Sequence, residues 1–364
     1  MGKSIAYFIT PHGFGHATRA SAVMSAVLER EPTLHFDIFT EVPEWVFRDS
    51  IDAQFTYRPL HCDVGMVQKD PFSVDLPATV RRLGELLPFR AEQVERLANQ
   101  VMELGCRLVV CDVAALGIAV ARVAKLPSVL IENFTWDWIY EGYLDSESGF
   151  IPFIDYLKDQ YAQADFHLQT EPLCDPLAQP DVRLAPISRK PKNRAAVVRA
   201  RLGIPQENQT VLITTGGIPG TFPYLARLAD FPRVSFILPG AAERLELQGN
   251  CVLLPHHSNF FHPDLTHASD AVVGKAGYST IAEAYAAGIP LAYVMRDGFR
   301  ESPEMDRFIQ REMRGFPIRE QDYAAGDWIE RIPELLRMPK MINNAVNGAD
   351  QAAEILLSLV EQPL

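Results

Sequence analysis

Ten residues near the start of the chain, Thr10-Pro11-His12-Gly13-Phe14-Gly15-His16-Ala17-Thr18-Arg19, set two imidazoles in a glycine turn between an apolar run and an amphipathic one. Imidazole is the side chain that takes up a proton near neutrality, so His16 is a candidate general base. A carboxylate accepting from the second ring nitrogen would orient it and stabilise the imidazolium. Asp112, in Cys111-Asp112-Val113 at the end of an apolar run, is the candidate for that role. An N-cap on the following helix is its other reading, and the residues leave both open. The bland reading of His16 is a hydrogen-bonded core histidine, but a rim lined by Gly13 and Gly15 is a poor place to bury one.

A second constellation lies in the other half of the chain. Gly274-Lys275-Ala276-Gly277-Tyr278-Ser279-Thr280 combines backbone amides, two hydroxyls and a helix start, which together suit a diphosphate, and Lys275 would add charge. Glu283, one turn further, is placed either to accept two ribose hydroxyls or to act as a capping-box acid three residues after Thr280. Thr214-Thr215-Gly216-Gly217 is a second glycine loop expected at the same cleft. His256, His257 and His262 lie close together, with Asp264 as the one acid at a plausible spacing for a metal; a loop lining a nucleotide base is the preferred reading. In Arg296-Asp297-Gly298-Phe299-Arg300-Glu301, Asp297 and Arg300 are expected to meet a sugar, and a solvated charged loop is the alternative. No GxxxxGK[ST] string occurs, so nucleotide hydrolysis of that type is not expected.

The elements that must position these groups alternate between strand and helix. Strands are predicted at Ile5 to Thr10, His35 to Thr40, Leu108 to Cys111 and Ser128 to Glu132. Helices fall at Ala17 to Glu29, Ala91 to Leu104 and Leu116 to Ala124. The pattern lapses into prolines and a basic cluster, then resumes with strands at Thr210 to Thr214, Val234 to Leu238, Cys251 to Leu254, Ala271 to Val273 and Pro290 to Val294, and a helix at Ile281 to Ala287. This is α/β architecture in two Rossmann-like halves. The expected division is 1–185, a linker over 186–198, 199–340, and a tail 341–364 whose helix, Asn344 to Val360, packs back on the first half.

The chain of 364 residues is long enough for two such cores, and 48% of it is apolar. A net charge of −12 excludes a nucleic-acid footprint, which needs a basic face. Five cysteines without CxxC spacing fit reduced thiols, and the N-terminus has no apolar signal region, so a cytoplasmic protein without integral membrane contact is expected. Oligomeric state is left open.

His16, Asp112 and Glu283 in two such halves resemble the GT-B superfamily of nucleotide-sugar glycosyltransferases over nearly the whole chain. A closer resemblance is to the glycosyltransferase-like N-terminal half of plant L-arabinokinases and their stand-alone bacterial relatives. It rests on His12 to Arg19, on Gly65 to Asp75 (GMVQKDPFSVD), on Asn133-Phe134-Thr135-Trp136-Asp137-Trp138-Ile139-Tyr140, and on Gly274 to Tyr278 with Arg296-Asp297. The chain ends without a Gly-Leu-Ser-Ser type phosphate loop, so sugar kinase activity is not implied. The resemblance implies the GT-B fold, two domains facing each other across a cleft. It implies a nucleotide-sugar donor, UDP-linked before GDP- or dTDP-linked, held by Gly15, Gly216, Gly217, His256, His257, Gly274, Lys275, Gly277, Tyr278, Ser279, Thr280, Glu283, Asp297 and Arg300. A soluble small-molecule acceptor would sit among His12, Gln68, Asp70, Asn133, Trp136 and Asp137, with His16 and Asp112 as catalytic pair in an inverting displacement. No Asp-X-Asp string occurs, and neither metal nor another cofactor is expected. A nucleotide-sugar 2-epimerase shares the fold but needs further acids at the sugar C2 and C3; a non-catalytic sensor would hold the nucleotide sugar and turn over nothing; a purely structural partner would bind no nucleotide.

Overall fold

The computed structural model describes residues 3–69, 73–216, 222–296, 298–341 and 345–362. They form two compact units. The first comprises Met1–Ile187, Phe299–Glu301 and Val346–Leu364, and the second Ser188–Gly298 and Ser302–Ala345.

The first unit is built on seven strands: β1 (Ser4–Ile9), β2 (His35–Thr40), β3 (Phe55–Pro59), β4 (Cys106–Asp112), β5 (Ser128–Glu132), β6 (Phe166–Thr170) and β7 (Val182–Leu184). All pair in parallel, in the order β3-β2-β1-β4-β5-β6-β7. Parallel sheets are covered on both faces, which is why β1 is apolar at nearly every position and buried throughout. Side chains such as Ile5 and Phe8 contribute about 1.5–3 kcal/mol each by leaving water. The helix Phe14–Arg30 follows β1, and Gly13, at φ 69°, makes the turn into it. That helix starts three residues before the predicted Ala17. Gly15 is therefore helical rather than part of the turn, and His16 stands in the first helical turn. The last helix, Gly348–Glu361, packs on Phe14–Arg30, with Arg30 paired to Asp350 at 2.9 Å.

The second unit repeats the plan with β8 (Gln209–Thr214), β9 (Val234–Pro239), β10 (Glu246–Gln248), β11 (Cys251–Leu254), β12 (Ala271–Lys275), β13 (Leu291–Val294) and β14 (Gly315–Ile318). Their order is β10-β11-β9-β8-β12-β13-β14, parallel except for the antiparallel edge strand β10. Of the stretch expected as a linker, 186–198, the part from Ser188 onward belongs to this unit. Asp264 accepts from the Lys192 and Asn193 amides at 2.6 and 3.0 Å, and a helix begins at Ala195. The five cysteines are buried and form no disulfide. Among the described residues no helix is long and apolar enough to cross a membrane.

Candidate active site

In both sheets the strand order reverses beside the first strand, between β1 and β4 and between β8 and β12. Ligands of open α/β sheets bind outside the carboxyl ends of the strands at such switch points. His16 follows β1 and Asp112 ends β4, so the fold brings together two groups 96 residues apart. His16 Nδ1 lies 2.8 Å from Asp112 Oδ1. Asp112 is fully buried and makes no side-chain cap on the helix Ala115–Ala124, whose N-cap is Ala114; it faces the histidine.

Arg19 completes the group. It is 1% exposed, donates through Nε and Nη2 to the two Asp112 oxygens at 2.8 and 2.6 Å, and through Nη1 to Asn133 Oδ1 at 2.6 Å. Burial pushes the Asp112 carboxyl up, but the charge and hydrogen bonds of Arg19, helped by His16, outweigh this and hold it below the usual carboxylate range. Burial, with the Arg19 charge adding to it, lowers His16 against the pull of Asp112 and Glu301. The result is an ionised carboxylate beside a neutral imidazole, the protonation state of a general base. Directly after Asp112, Val113 sits at φ 59°, a left-handed conformation that costs a β-branched residue about 1–3 kcal/mol. The Tyr161 hydroxyl holds the Val113 carbonyl at 2.7 Å, so the chain leaves β4 in one fixed direction.

An aromatic wall stands beside this group. Trp136 meets His12 edge-on at 5.1 Å, Phe134 at 5.1 Å and His16 at 6.3 Å between ring centres. Its indole N–H donates to buried Asp63 at 2.5 Å, and burial raises that carboxyl to about 6. His12 Nδ1 accepts from the Met66 amide at 3.2 Å, and a Cβ at Gly65 would lie 2.6 Å from the His12 side chain, so the close approach demands glycine. Several acceptor expectations change here. Trp136 and Asn133 are each 1% exposed; the ring is core and the amide is committed to Arg19 and Cys174. Asp137 is buried, with its carboxyl raised by burial, and Gln68 is exposed on an isolated bridge to Val74. Asp70 lies outside the described residues.

At the second switch point the groups are mostly backbone. A Cβ on Gly274 would sit 1.9 Å from the Thr214 carbonyl, so glycine alone lets β12 run this close to β8. The helix Tyr278–Ala287 starts at Gly277, earlier than the predicted Ile281, which puts Tyr278, Ser279 and Thr280 in its first turn. No side chain caps it, and the space where a Gly277 Cβ would stand is open to 4 Å. Gly216, at φ 72°, follows β8 beside the Lys275 stem. His256 and His257 are exposed at the carboxyl end of β11. Gly217 and Asp297 lie outside the described residues.

Glu283 and Arg300 are placed differently from the expectation. Glu283 is buried; one oxygen takes two bonds from Arg189 at 3.0 and 2.8 Å, and the other lies 2.8 Å from His262 Nδ1. Against the cost of burial, Arg189 and His262 hold its carboxyl down to about 2. A carboxylate has about four lone-pair sites, so one is left where two ribose hydroxyls were expected. Arg300 lies over the Trp138 ring at 4.2 Å and pairs with Glu141 at 3.0 Å within the first unit. Asp264 is spent on the Lys192–Asn193 segment, and among the described residues no three metal-ligating side chains converge. Arg19, Asp63 and Arg189 stood outside the expected site, and of these only Arg19, one helical turn after His16, carried a usable spacing; His262, expected in a loop lining a base, instead pairs with Glu283.

Two seven-stranded sheets, each with a switch point beside its first strand, match solved glycosyltransferases along nearly their full length. A UDP-glucosyltransferase from Polygonum tinctorium, capable of glucosylating indoxyl, superposes with a TM-score of 0.64 over 100% of this chain and 99% of its own, at 13% identity. The chain has the GT-B fold. The same GT-B plan is found in a putative UDP-N-acetylglucosamine 2-epimerase from Listeria monocytogenes, at TM-score 0.58 and 13% identity over 99% of this chain and 95% of that one. In sequence, an L-arabinokinase of Arabidopsis thaliana is 29% identical over 357 residues, 96% of this chain. The GT-B chain spans 34% of that relative's length. No protein-family model matches it.

Proposed function

We propose that the chain moves a sugar from a nucleotide-sugar donor, UDP-linked, to an acceptor hydroxyl, without a metal. The observation that carries this reading is the buried His16–Asp112 pair at the β1/β4 switch point. His16 Nε2 takes the acceptor proton as the acceptor oxygen bonds to the anomeric carbon; the bond from that carbon to the diphosphate breaks, and its electron pair leaves with the phosphate. One displacement inverts the anomeric centre. Gly216, Gly217, Gly277 and the amides of Tyr278, Ser279 and Thr280 would hold the diphosphate in the second unit, with Lys275 offsetting its charge as it leaves. His256 and His257 line the base, and Glu283 accepts one ribose hydroxyl through its remaining lone pair. Asp297 meets the donor sugar, and His12 and Gln68 border the acceptor.

A thermal-shift series with UDP, GDP, dTDP, CMP, ADP and their sugars tests the donor half of this reading, because a ligand that binds only the native state raises the melting temperature. A shift confined to UDP compounds supports it, and a flat panel overturns it. The 2-epimerase reading is favoured by the epimerase that shares the fold; it requires an isomerised sugar nucleotide to form from donor alone, which the same incubations reveal.

A further inference from the structure

We propose that Arg19 is the positioning residue of the dyad: by forking onto both oxygens of Asp112, it sets the carboxylate so that His16 carries its proton on Nδ1 and presents a bare Nε2. This rests on the reading of His16 as the base. Three contacts join three atoms in a triangle. Asp112 Oδ1 lies 2.8 Å from His16 Nδ1 and 2.6 Å from Arg19 Nη2, and Nη2 itself comes within 3.1 Å of Nδ1. They cannot all be hydrogen bonds. If Arg19 donated into an Nδ1 lone pair, the ring proton would sit on Nε2, His16 would be a donor instead of a base, and Nδ1 and Oδ1 would be two acceptors facing each other at 2.8 Å in a buried site. With the proton on Nδ1, it donates to Oδ1, and the approach of Nη2 is that of two donors sharing one anionic acceptor.

Arg19 decides between these states because its guanidinium is held at both ends. Nε and Nη2 form a bidentate fork on Asp112 while Nη1 is tied to Asn133 at the end of β5, so neither Asp112 oxygen can turn away from the ring. A lysine ammonium is a point charge without the planar fork and cannot hold both oxygens and Asn133 at once. Arg19 lies three residues after His16, so one helix face carries both groups to the same carboxylate.

Long-range proton–nitrogen NMR of the imidazoles, assigned with His16→Gln, reads the tautomer without any substrate. The wild type is expected to show His16 protonated on Nδ1 and neutral at pH 7. Arg19→Lys is expected to lose that signature, with signal moving to the Nε2-protonated form; Arg19→Met is expected to raise the pH midpoint of His16, since a cation beside the pair is gone. Asn133→Ala keeps the ion pair but frees one end of the guanidinium, and gives a mixture of tautomers if the Lys and Met variants fail to fold. A wild-type His16 protonated on Nε2 overturns the proposal. So does an Nδ1-protonated ring with unchanged midpoint in folded Arg19→Lys, or in Asn133→Ala where that is the variant that folds. A failed transfer assay would count against the base reading and leave the tautomer result intact.

Discussion

The β1/β4 and β8/β12 switch points each lie where a sheet's strand order reverses beside its first strand, yet they are furnished in opposite ways. The first is filled by side chains: His16, Arg19, Asp112 and Asn133 form a buried, hydrogen-bonded charge network. The second is left open by glycines, with an uncapped ten-residue helix and exposed His256 and His257 around it. A buried charge network can tune and move a proton, whereas backbone amides at a helix start suit a phosphate and contribute no base. On the proposed function, one scaffold would supply proton chemistry from side chains and anion binding from main chain.

If that contrast is right, substitutions at the first point act through buried charge and those at the second through shape. Asp112→Ala strands the Arg19 guanidinium without its anion and is expected to cost about 3–5 kcal/mol, read as a lower urea midpoint; a loss under about 1 kcal/mol would mean the network is not formed. Asp63→Asn tests the wall behind His16. An unfolded aspartate ionises near pH 4 and Asp63 near 6, so the stability carried by its protonated form is full below pH 4 and is lost as pH rises to 6. Urea midpoints should fall across that window by about 3 kcal/mol more in the wild type than in the variant; parallel curves would contradict it.

At the second point the effects are smaller. Gly274→Ala drives a methyl into the Thr214 carbonyl and is expected to cost about 1–3 kcal/mol by the same urea measurement. Gly277→Ala meets nothing within 4 Å, so stability should change by less than about 1 kcal/mol while UDP affinity falls, as the methyl enters the space over the helix end. Equal UDP affinity in that variant would remove this helix start from the donor site.

Much of this was legible in the sequence for a physical reason. Central parallel strands are buried on both faces and read as apolar runs, so β1, β4, β5, β8 and β12 were visible, and the glycine turns after them pointed to His16 and to Gly274–Thr280. The edge strands β3, β7, β10 and β14 are short or partly exposed and left no such signal. What stayed hidden were partnerships made over long chain separations. Arg19 finds Asp112 and Asn133 from 93 and 114 residues away, and Arg189, in a stretch that reads as linker, finds Glu283 from 94. Trp136, expected beside an acceptor, is held in the core by Asp63 from 73 residues away.

The most direct test of the division between the two points is to measure UDP binding and sugar transfer side by side in the wild type and in His16→Ala, using the UDP-sugar found by thermal shift. Transfer is expected to fall by roughly 100- to 10,000-fold while the UDP dissociation constant stays within about twofold. Undiminished transfer in the variant, or UDP affinity falling together with transfer, would contradict the account.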